Sequence, residues 1–364
     1  MDKIDLIPPR VRTLTPYVPG RLISDALESL GLKSATKLAS NENSLGPSPL
    51  ALEAMARELP NLNRYGDAGS TKLREALAAK FGIPADGVTC GNGSSEIILT
   101  LAHTLLGPGL SAVMSKPSFT LYAKNVRASG ADAIEVPLKN FNHDLGEILG
   151  RIRDDSRLIF LDNPLNPTGA FLGPGVIRDF VDRLPPNVLL VLDEAYADFA
   201  RAPRPDPREL LETGKTIILR TFSKLYGLAG LRVGYAMAPP FVWEAANKVR
   251  QPFNLNNLAQ VGALAALRDE EHVRKTLEMT WNGLDYFRGE FEKLGLAPRP
   301  TESNFLMVET GSVPSSEFTD RLFETGLIIR SLESFGFGDK VRINAGLPEE
   351  NAKLVRGVKK LLGK

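Results

Sequence analysis

The segment from residue 188 to residue 196 constrains the fold more than any other stretch of this chain. Residues 188–192 are Val-Leu-Leu-Val-Leu, apolar at every position, and Asp193 follows directly. A strand without polar alternation is typical of a parallel sheet that helices cover on both faces. Ligands bind at the carboxyl ends of such strands, and a buried carboxylate there needs a cationic partner. The alternative is that Asp193 only caps a following helix.

Strand and helix patterns alternate through the middle of the chain. Short β-type runs at residues 112–115, 133–137 and 157–162 alternate with stretches of helical apolar spacing, such as residues 145–152. This alternation predicts an α/β fold with a mostly parallel central sheet.

The pattern changes near residue 295. Beyond it, short strands are predicted at residues 303–308, 326–330 and 340–344, between helices at 315–324 and 348–362. We therefore expect an N-terminal arm that contributes to the small domain (1–45), a large domain (46–290) and a smaller α+β domain (291–364).

The composition excludes several classes of protein. With 364 residues, of which 43% are hydrophobic, the chain is long enough for two globular domains. A net charge of +1 gives no electrostatic basis for binding nucleic acid or an anionic membrane. No run approaches the ~20 apolar residues of a membrane-spanning helix, and the N-terminus has no apolar signal core.

The cysteine and histidine residues of the chain give no sign of a disulfide or a metal site. Cys90 is the only cysteine, so no intrachain disulfide can form. The histidines, His103, His143 and His272, lack the spacing of metal ligands. We expect a cytoplasmic protein without a metal site.

A lysine follows the β-type residues 216–219. Lys224 lies in the run Leu-Arg-Thr-Phe-Ser-Lys-Leu-Tyr-Gly-Leu-Ala-Gly-Leu-Arg-Val-Gly-Tyr, which returns to a β-type stretch at residues 232–237. Desolvation at the exit of a buried strand lowers a lysine's pKa and frees its amine for imine chemistry with a carbonyl cofactor. Ser223 and Arg232 supply a hydroxyl and a guanidinium suited to a phosphate. A solvated lysine in a glycine-rich loop is the alternative.

A phosphate site is also indicated between a predicted strand and a predicted helix near residue 90. Gly91 and Gly93 let the backbone approach a ligand, and the helix that begins near Ser94 directs free N–H groups and its positive dipole end outward. Gly-x-Gly without a third glycine is a weak signal for a dinucleotide. Capping by Ser94 and Ser95 would use the same N–H groups.

The motif around Lys224 resembles a known family. Ser-Lys followed by Gly-Leu-Ala-Gly-Leu-Arg-Val-Gly is similar to the cofactor-lysine signature of the fold-type I pyridoxal-phosphate (PLP) enzymes. Its residues resemble most the motif of the histidinol-phosphate aminotransferase group. The similarity extends from Tyr17 to the C-terminus. It implies the fold-type I PLP-transferase fold and a covalent imine between PLP and Lys224, the catalytic residue. Because the Lys224 motif follows Asp193, the resemblance also implies that Asp193 holds the protonated pyridine nitrogen.

The resemblance implies further contacts with PLP. Asn166, in Asn-Pro-Leu-Asn-Pro-Thr-Gly, and Tyr196 would contact its phenolic oxygen, although leucine replaces one asparagine of the family motif. Phe119 would stack on the ring where tyrosine is frequent, with Tyr122 as second choice. The residues implied for the phosphate are Ser94, Ser95, Ser223, Arg232 and, from the partner subunit of a homodimer, Tyr65. Gly66 follows Tyr65 where the family commonly has proline.

Four residues are implied for the substrate. Tyr17, in Tyr-Val-Pro-Gly, matches a tyrosine that leans over the family's active site, with packing of the arm as the alternative. Asn43, in Ser-Asn-Glu-Asn, would line the entrance. Arg342 matches the family's carboxylate-binding arginine, and Arg330 matches one that the histidinol-phosphate group shares between phosphate and side-chain carboxylate. A surface salt bridge is the alternative for each arginine.

The resemblance implies transamination of L-histidinol phosphate with 2-oxoglutarate, giving imidazole acetol phosphate and L-glutamate in histidine biosynthesis. Family members with similar motifs act on aromatic amino acids or decarboxylate threonine phosphate, and the motif residues of this chain do not distinguish these substrates. A PLP-sensing regulator without catalysis is an alternative from another class. Such regulators resemble an aminotransferase body behind a DNA-binding module, which we do not expect because the chain starts with the arm and has no basic patch.

Overall fold

The computed structural model describes residues 3–16 and 20–364. Its strands are β1 Thr36–Lys37, β2 Val88–Gly91, β3 Ser111–Lys116, β4 Asp132–Pro137, β5 Ser156–Asp162, β6 Leu189–Asp193, β7 Thr216–Thr221, β8 Gly234–Met237, β9 Ala297–Pro298, β10 Phe305–Glu309, β11 Leu327–Ile328, β12 Arg330–Ser331 and β13 Lys340–Asn344. Its α-helices are α1 Pro9–Arg12, α2 Ile23–Leu30, α3 Pro49–Glu58, α4 Thr71–Phe81, α5 Ser94–Leu105, α6 Leu121–Ser129, α7 Leu145–Gly150, α8 Pro174–Asp182, α9 Pro207–Glu212, α10 Pro240–Ala246, α11 Asn257–Ala266, α12 Glu270–Lys293, α13 Ser315–Phe323 and α14 Pro348–Leu361.

The central sheet has seven strands in the order β2-β8-β7-β6-β5-β3-β4. Strands β3 to β7 are mutually parallel, and β8 is antiparallel to both β7 and β2. The apolar strand β6 is the middle strand, where Leu190, Val191 and Leu192 are fully buried. Burial on both faces explains why this segment lacks polar alternation, and the predicted α/β fold with a mostly parallel sheet is confirmed.

The buried side chains of this sheet form two clusters, one on each face. Leu190 packs with Phe180 of α8 on one face, and Val191 packs with Ile98 of α5 on the other. Successive strand residues point to opposite faces, so helices on both sides are needed to cover the sheet.

A second sheet lies in the C-terminal part of the chain. Its order is β12-β13-β10-β9, with antiparallel pairing throughout. Phe287 and Phe291 of α12 pack with Leu306 and Ile343 of this sheet in a separate core. The short strand β1 pairs in parallel with β11, so residues from near the start of the chain lie against this C-terminal part.

Two predicted strands differ from the structure. The β-type stretch predicted at residues 232–237 begins at Gly234 instead, because Arg232 has φ 56°, in the left-handed region that strands do not contain. The strand predicted at residues 326–330 divides into β11 and β12, which belong to different sheets. The direction in which Arg330 points is therefore set by its pairing with β13 and not by β11.

Neither a membrane span nor a metal cluster is found in residues 3–16 and 20–364. Every helix there is too short or too polar to cross a bilayer. No three histidine, cysteine or acidic side chains of those residues are grouped so that they could hold a metal ion. Cys90 is free and buried in the core of the central sheet.

Candidate active site

The carboxyl ends of β5, β6 and β7 open into a cavity of about 440 Å³. Asp162 and Asp193 end neighbouring strands in register, and Ser223 and Lys224 follow β7. Because parallel strands end at the same edge of the sheet, these residues meet although they are far apart in sequence. The predicted residues that line the cavity are Ser94, Ser95, Phe119, Asn166, Asp193, Tyr196, Ser223, Lys224 and Arg232, together with Tyr122, the second choice for stacking.

Asp193 faces this cavity without a cationic partner among the described residues. Its side chain is buried, Oδ2 accepts a hydrogen bond from the Tyr122 hydroxyl (2.8 Å), and Oδ1 accepts one from the Ala195 N–H (3.0 Å). Burial raises the pKa of Asp193 to about 6, and the hydrogen bond from Tyr122 opposes that rise. The site therefore presents a buried carboxylate that only neutral donors stabilise.

Two aromatic rings lie beside Asp193. The Phe119 ring lines the cavity and contacts Tyr122 edge to face, with centroids 5.5 Å apart. The Tyr122 ring is fully buried and stacks on Phe160 at 5.0 Å. Tyr122 therefore serves mainly as a donor to Asp193, and Phe119 is the better placed of the two to stack on a flat ligand.

Lys224 reaches the cavity from the turn after β7. Its Nζ donates to the Ser40 carbonyl (3.0 Å) and lies 5.6 Å from the centroid of the Tyr196 ring. Desolvation, together with the nearby charge of Arg342, lowers the pKa of Lys224 to about 8. Since no ion pair forms on Lys224 within the described part of the chain, its neutral amine is available as a base or a nucleophile.

A cradle for an anion lies at the start of α5. Gly93, which precedes α5, has φ 80°, and a Cβ there would lie 2.5 Å from Arg232 Nη2. A Cβ at Gly234 would lie 2.4 Å from the Ser94 backbone nitrogen. Glycine at both positions permits the close approach of a helix N-terminus and a guanidinium, a combination suited to a phosphate. The hydroxyl residues predicted for the phosphate, Ser94, Ser95 and Ser223, line the same cavity, as does Thr221.

Hydrogen bonds fix Asn166 and Tyr196 in the cavity wall. The Asn166 side-chain oxygen accepts a hydrogen bond from Arg342, which leaves the amide N–H groups of Asn166 to donate into the cavity. The Tyr196 hydroxyl oxygen accepts from Asn41 Nδ2 (2.9 Å), which leaves the Tyr196 hydroxyl proton to donate. Two donors are therefore directed at the same region of the cavity.

A larger cavity of about 770 Å³ adjoins the first. The two share lining residues that include Phe119, Tyr196 and Lys224. Arg330 and Arg342 line only the larger cavity and are register partners across β12 and β13. They are therefore placed to bind anionic groups of a substrate that lies beside Lys224.

Two predicted residues line neither cavity. Asn43 Nδ2 donates to the Leu225 carbonyl (3.0 Å), so this side chain holds its own segment against the turn that carries Lys224. Tyr65 is 82% exposed, and its ring stacks on Phe253 with centroids 4.6 Å apart. A third residue, Tyr17, lies outside the described residues.

Sequence reasoning missed Ser40 and Asn41. Both residues of the Ser-Asn-Glu-Asn segment line the site, where the Ser40 carbonyl accepts from Lys224 and Asn41 donates to Tyr196; Glu42 of the same segment also lines the smaller cavity. The motif itself was the available signal, but it does not tell which of its two asparagines turns inward.

Asp162 was also missed, although it ends an apolar strand just as Asp193 does. It lines the smaller cavity, is buried, and its Oδ2 accepts a hydrogen bond from the Asn166 N–H (2.8 Å). Burial raises the pKa of Asp162 well above its ordinary value, and the charge of Asp193 adds to this effect. The cavity thus contains two neighbouring buried carboxyl groups whose ionisation is coupled.

Comparisons of sequence and of structure with known proteins lead to the same family. The family model "Aminotransferase class I and II" matches residues 33–358. A curated histidinol-phosphate aminotransferase from Moorella thermoacetica is 42% identical over 355 residues, covering 97% of this chain and 92% of the relative. Another, histidinol-phosphate aminotransferase 2 from Carboxydothermus hydrogenoformans, is 41% identical, covering 97% of this chain and 98% of the relative.

Solved structures of similar proteins have the same architecture. The crystal structure of histidinol-phosphate aminotransferase from Sinorhizobium meliloti in complex with pyridoxal-5'-phosphate matches with a TM-score of 0.90 and 28% identity, over 98% of this chain and 97% of that one. A Thermus thermophilus aspartate aminotransferase double mutant, at 23% identity and a TM-score of 0.85 over 98% of this chain and 99% of that one, shares the fold. The resemblance that the Lys224 motif indicated is confirmed, and the chain belongs to the aminotransferase class I and II family.

Proposed function

We propose that this protein transfers the amino group of L-histidinol phosphate to 2-oxoglutarate in histidine biosynthesis, with PLP as its cofactor. Support comes from relatives of that name that match nearly the whole chain and from a similar structure that contains PLP. The observation that carries the proposal is that Lys224 and Asp193 face one cavity and neither forms an ion pair among the described residues. A lysine whose pKa is lowered toward its neutral amine and a buried carboxylate match the aldehyde and the protonated ring nitrogen of PLP.

The other features of the cavity fit the same cofactor. The start of α5 and Arg232 would hold the phosphate, and Phe119 would cover one face of the ring. Asn166 and Tyr196 each retain a donor for the phenolic oxygen. Bound PLP would supply an electron sink for negative charge at the substrate's α carbon.

Lys224 is the proposed acid–base residue. Its Nζ would remove the α proton of the amino donor as a neutral amine and return a proton later in the cycle. The lowered pKa of about 8 favours this role, because a base works best when its pKa lies near the working pH. The hydrogen bond to the Ser40 carbonyl orients Nζ, and Asp193 would hold the proton on the ring nitrogen of bound PLP.

Arg330 and Arg342 are the proposed anion contacts of the substrates. Both line the larger cavity next to Lys224, and a guanidinium binds a phosphate or a carboxylate by a two-pronged contact. Asn43 is proposed to act indirectly by holding the segment of Ser40 against the Lys224 turn. A contact of Tyr17 with substrate stays a prediction.

A homodimer with shared active sites is also proposed. Tyr65 is 82% exposed beside Phe253, which is 45% exposed, and the two stacked rings form an apolar surface. Covering this surface with a second copy would bring Tyr65 to the partner's phosphate site. Mixing inactive Lys224→Ala and Tyr65→Ala chains tests this, because a mixed dimer has one site with both native residues. Recovery of activity on mixing supports the shared site, and its absence, with subunit exchange shown by mass spectrometry, contradicts it.

Substrate choice is tested with the purified protein and PLP. An absorption band that shifts with L-histidinol phosphate and returns with 2-oxoglutarate is expected, with much weaker responses to phenylalanine and threonine phosphate. Lys224→Ala should abolish turnover while PLP still binds noncovalently. A native band that never cycles with any donor would instead indicate a PLP-binding regulator.

We further propose a cytoplasmic location and the division at 1–45, 46–290 and 291–364. The separate cores of the central and C-terminal sheets support the division, and the single cysteine fits a reducing compartment. Cell fractionation and limited proteolysis test these two points.

A further inference from the structure

One face of α6 forms a wall of the larger cavity. Thr120, Ala123, Lys124 and Arg127 all line the cavity, at the spacing of a single helix face. Lys116, at the end of β3, extends the same wall. The wall therefore carries three cationic side chains on adjoining elements.

Two of these cations already have a partner. Glu135, the only carboxylate among the described residues that line this cavity, pairs with Lys116 (3.0 Å) and with Arg127 (2.8 Å). Lys124 is half-buried and forms no ion pair with any residue in 3–16 or 20–364. An ammonium group that lines a cavity and has no ion-pair partner is free to bind the opposite charge of a ligand there.

The position of Lys124 in its helix does not explain its charge. It lies near the start of α6, where the helix dipole is positive and cations are unfavourable. The first turn contains no acidic residue, and Thr120 makes no side-chain capping bond. Helix stability therefore gives no reason for a lysine here.

The rest of the larger cavity is also cationic. Arg330 and Arg342 lie on the sheet side and Lys124 lies on the helix side, whereas the net charge of the whole chain is only +1. Positive charge on several walls concentrates the field inside a cavity and favours an anionic ligand there. A ligand with a doubly charged group gains most from such an arrangement.

We propose that Lys124 is a specificity residue that binds the phosphate group of the amino donor. This rests on the proposed function, under which the substrates offer two anions distant from the reacting carbon: the phosphate of L-histidinol phosphate and the distal carboxylate of 2-oxoglutarate. The phosphate is assigned because it is a dianion with three acceptor oxygens, which Lys124 and an arginine can bind together.

The test compares Lys124→Gln, Lys124→Arg and the control Lys359→Ala, an exposed lysine on α14 that lines neither cavity. Apparent affinities are measured from the cofactor absorption band with L-histidinol phosphate, with L-histidinol and, in the reverse half-reaction, with 2-oxoglutarate. Lys124→Gln should weaken the binding of L-histidinol phosphate roughly 10- to 100-fold, as expected for loss of a charge-assisted contact. L-histidinol and 2-oxoglutarate should bind as in the native protein, and Lys124→Arg should retain most of the phosphate preference.

Other outcomes overturn the assignment. Equal losses with L-histidinol and L-histidinol phosphate, or no loss with either, would show that Lys124 does not recognise phosphate. A loss confined to 2-oxoglutarate would assign Lys124 to the acceptor's carboxylate instead. If the native protein fails to react with L-histidinol phosphate, the proposed function itself fails. If the native protein does react and Lys124→Gln binds L-histidinol phosphate with the same affinity, only the role of Lys124 is refuted. Melting temperatures of all variants establish that they fold.

Discussion

Replacing Tyr122 with phenylalanine tests how the site sets the charge of Asp193. The change deletes the hydroxyl that donates to Asp193 Oδ2 over 2.8 Å and keeps the ring that stacks on Phe160. A hydrogen bond to a charged group contributes about 1.5–3 kcal/mol, and about 1.4 kcal/mol corresponds to one pKa unit. The pKa of Asp193, about 6 in the native chain, should therefore rise by about one to two units in the variant. Much of the carboxyl group would then be protonated at neutral pH, where it could no longer hold a cation.

The assay for this prediction is infrared spectroscopy of the cofactor-free protein as a function of pH. The carboxyl band of Asp193 is assigned by its loss in Asp193→Asn, and its titration is followed in the native protein and in Tyr122→Phe. PLP affinity at pH 7 follows the ionised fraction of Asp193, so it should fall about twofold for a pKa rise of one unit and about tenfold for a rise of two units. Tyr286→Phe, which removes a hydroxyl from a surface tyrosine, is the control. A pKa for Asp193 that stays within about half a unit of the native value in Tyr122→Phe would refute the reasoning.

Three further predictions concern other parts of the site. Gly93→Ala places a Cβ 2.5 Å from Arg232 Nη2, so the guanidinium must move out of the anion cradle, and loss of a charge-assisted contact of about 1.5–3 kcal/mol should weaken PLP binding at least about tenfold; equal PLP dissociation constants by fluorescence titration would contradict this. Arg220→Ala leaves the buried Glu194 carboxylate without its main partner, so the free energy of unfolding in urea should fall by about 3–5 kcal/mol, and a loss below about 1 kcal/mol would contradict the assignment. The stopped-flow rate of the amino-donor half-reaction should decrease as pH falls below the pKa of Lys224, about 8, because the base becomes protonated; a rate that is constant across this pKa would exclude Lys224 as the base.

Sequence reasoning could place Asp193 and Lys224 because both stand next to buried strands. An all-apolar run predicts a strand covered on both faces, and the edge at which parallel strands end is the place for a ligand. The same rule applies to Asp162, which ends the predicted strand at residues 157–162, so the sequence pattern alone would have placed Asp162 in the site as well. Ser94 was predictable for a related reason, since a glycine turn between strand and helix places a helix N-terminus at that edge.

Other features depend on packing that sequence patterns do not encode. Asn41 donates to Tyr196, which is 155 positions away in sequence, across the gap between two sheets. Whether Asn41 or Asn43 turns inward depends on φ 55° at Asn41, a conformation that many asparagines adopt and that no neighbouring residue dictates. Arg232 likewise interrupts a β-type run: its guanidinium donates to the Ala229 carbonyl and lies beside Gly93, a placement that only the fold creates.

The charges of Asp193 and Lys224 together predict an unusual dependence of stability on pH in the cofactor-free protein. The pKa of Asp193 is raised from 3.8 to about 6, so the folded state binds more protons than the unfolded state between these values, and stability falls as pH rises through that interval. The pKa of Lys224 is lowered from 10.5 to about 8, so the folded state binds fewer protons there, and stability rises as pH increases from 8 to 10.5.

Between about pH 6 and pH 8, each group should therefore reduce the free energy of unfolding by about 3 kcal/mol relative to an unperturbed side chain. Near neutral pH the folded chain thus holds an ionised acid without a cation and an amine whose charge is disfavoured. A ligand that engages both groups relieves both penalties, so PLP should raise the melting temperature most in this interval and flatten the pH profile. In Asp193→Asn the fall of stability between pH 4 and pH 6 should become smaller by about 3 kcal/mol, with the part due to Asp162 retained, while the rise above pH 8 remains. If Asp193→Asn and the native protein show the same change of stability between pH 4 and pH 6, Asp193 keeps an ordinary pKa, and the proposal that this cavity is prepared electrostatically for PLP is wrong.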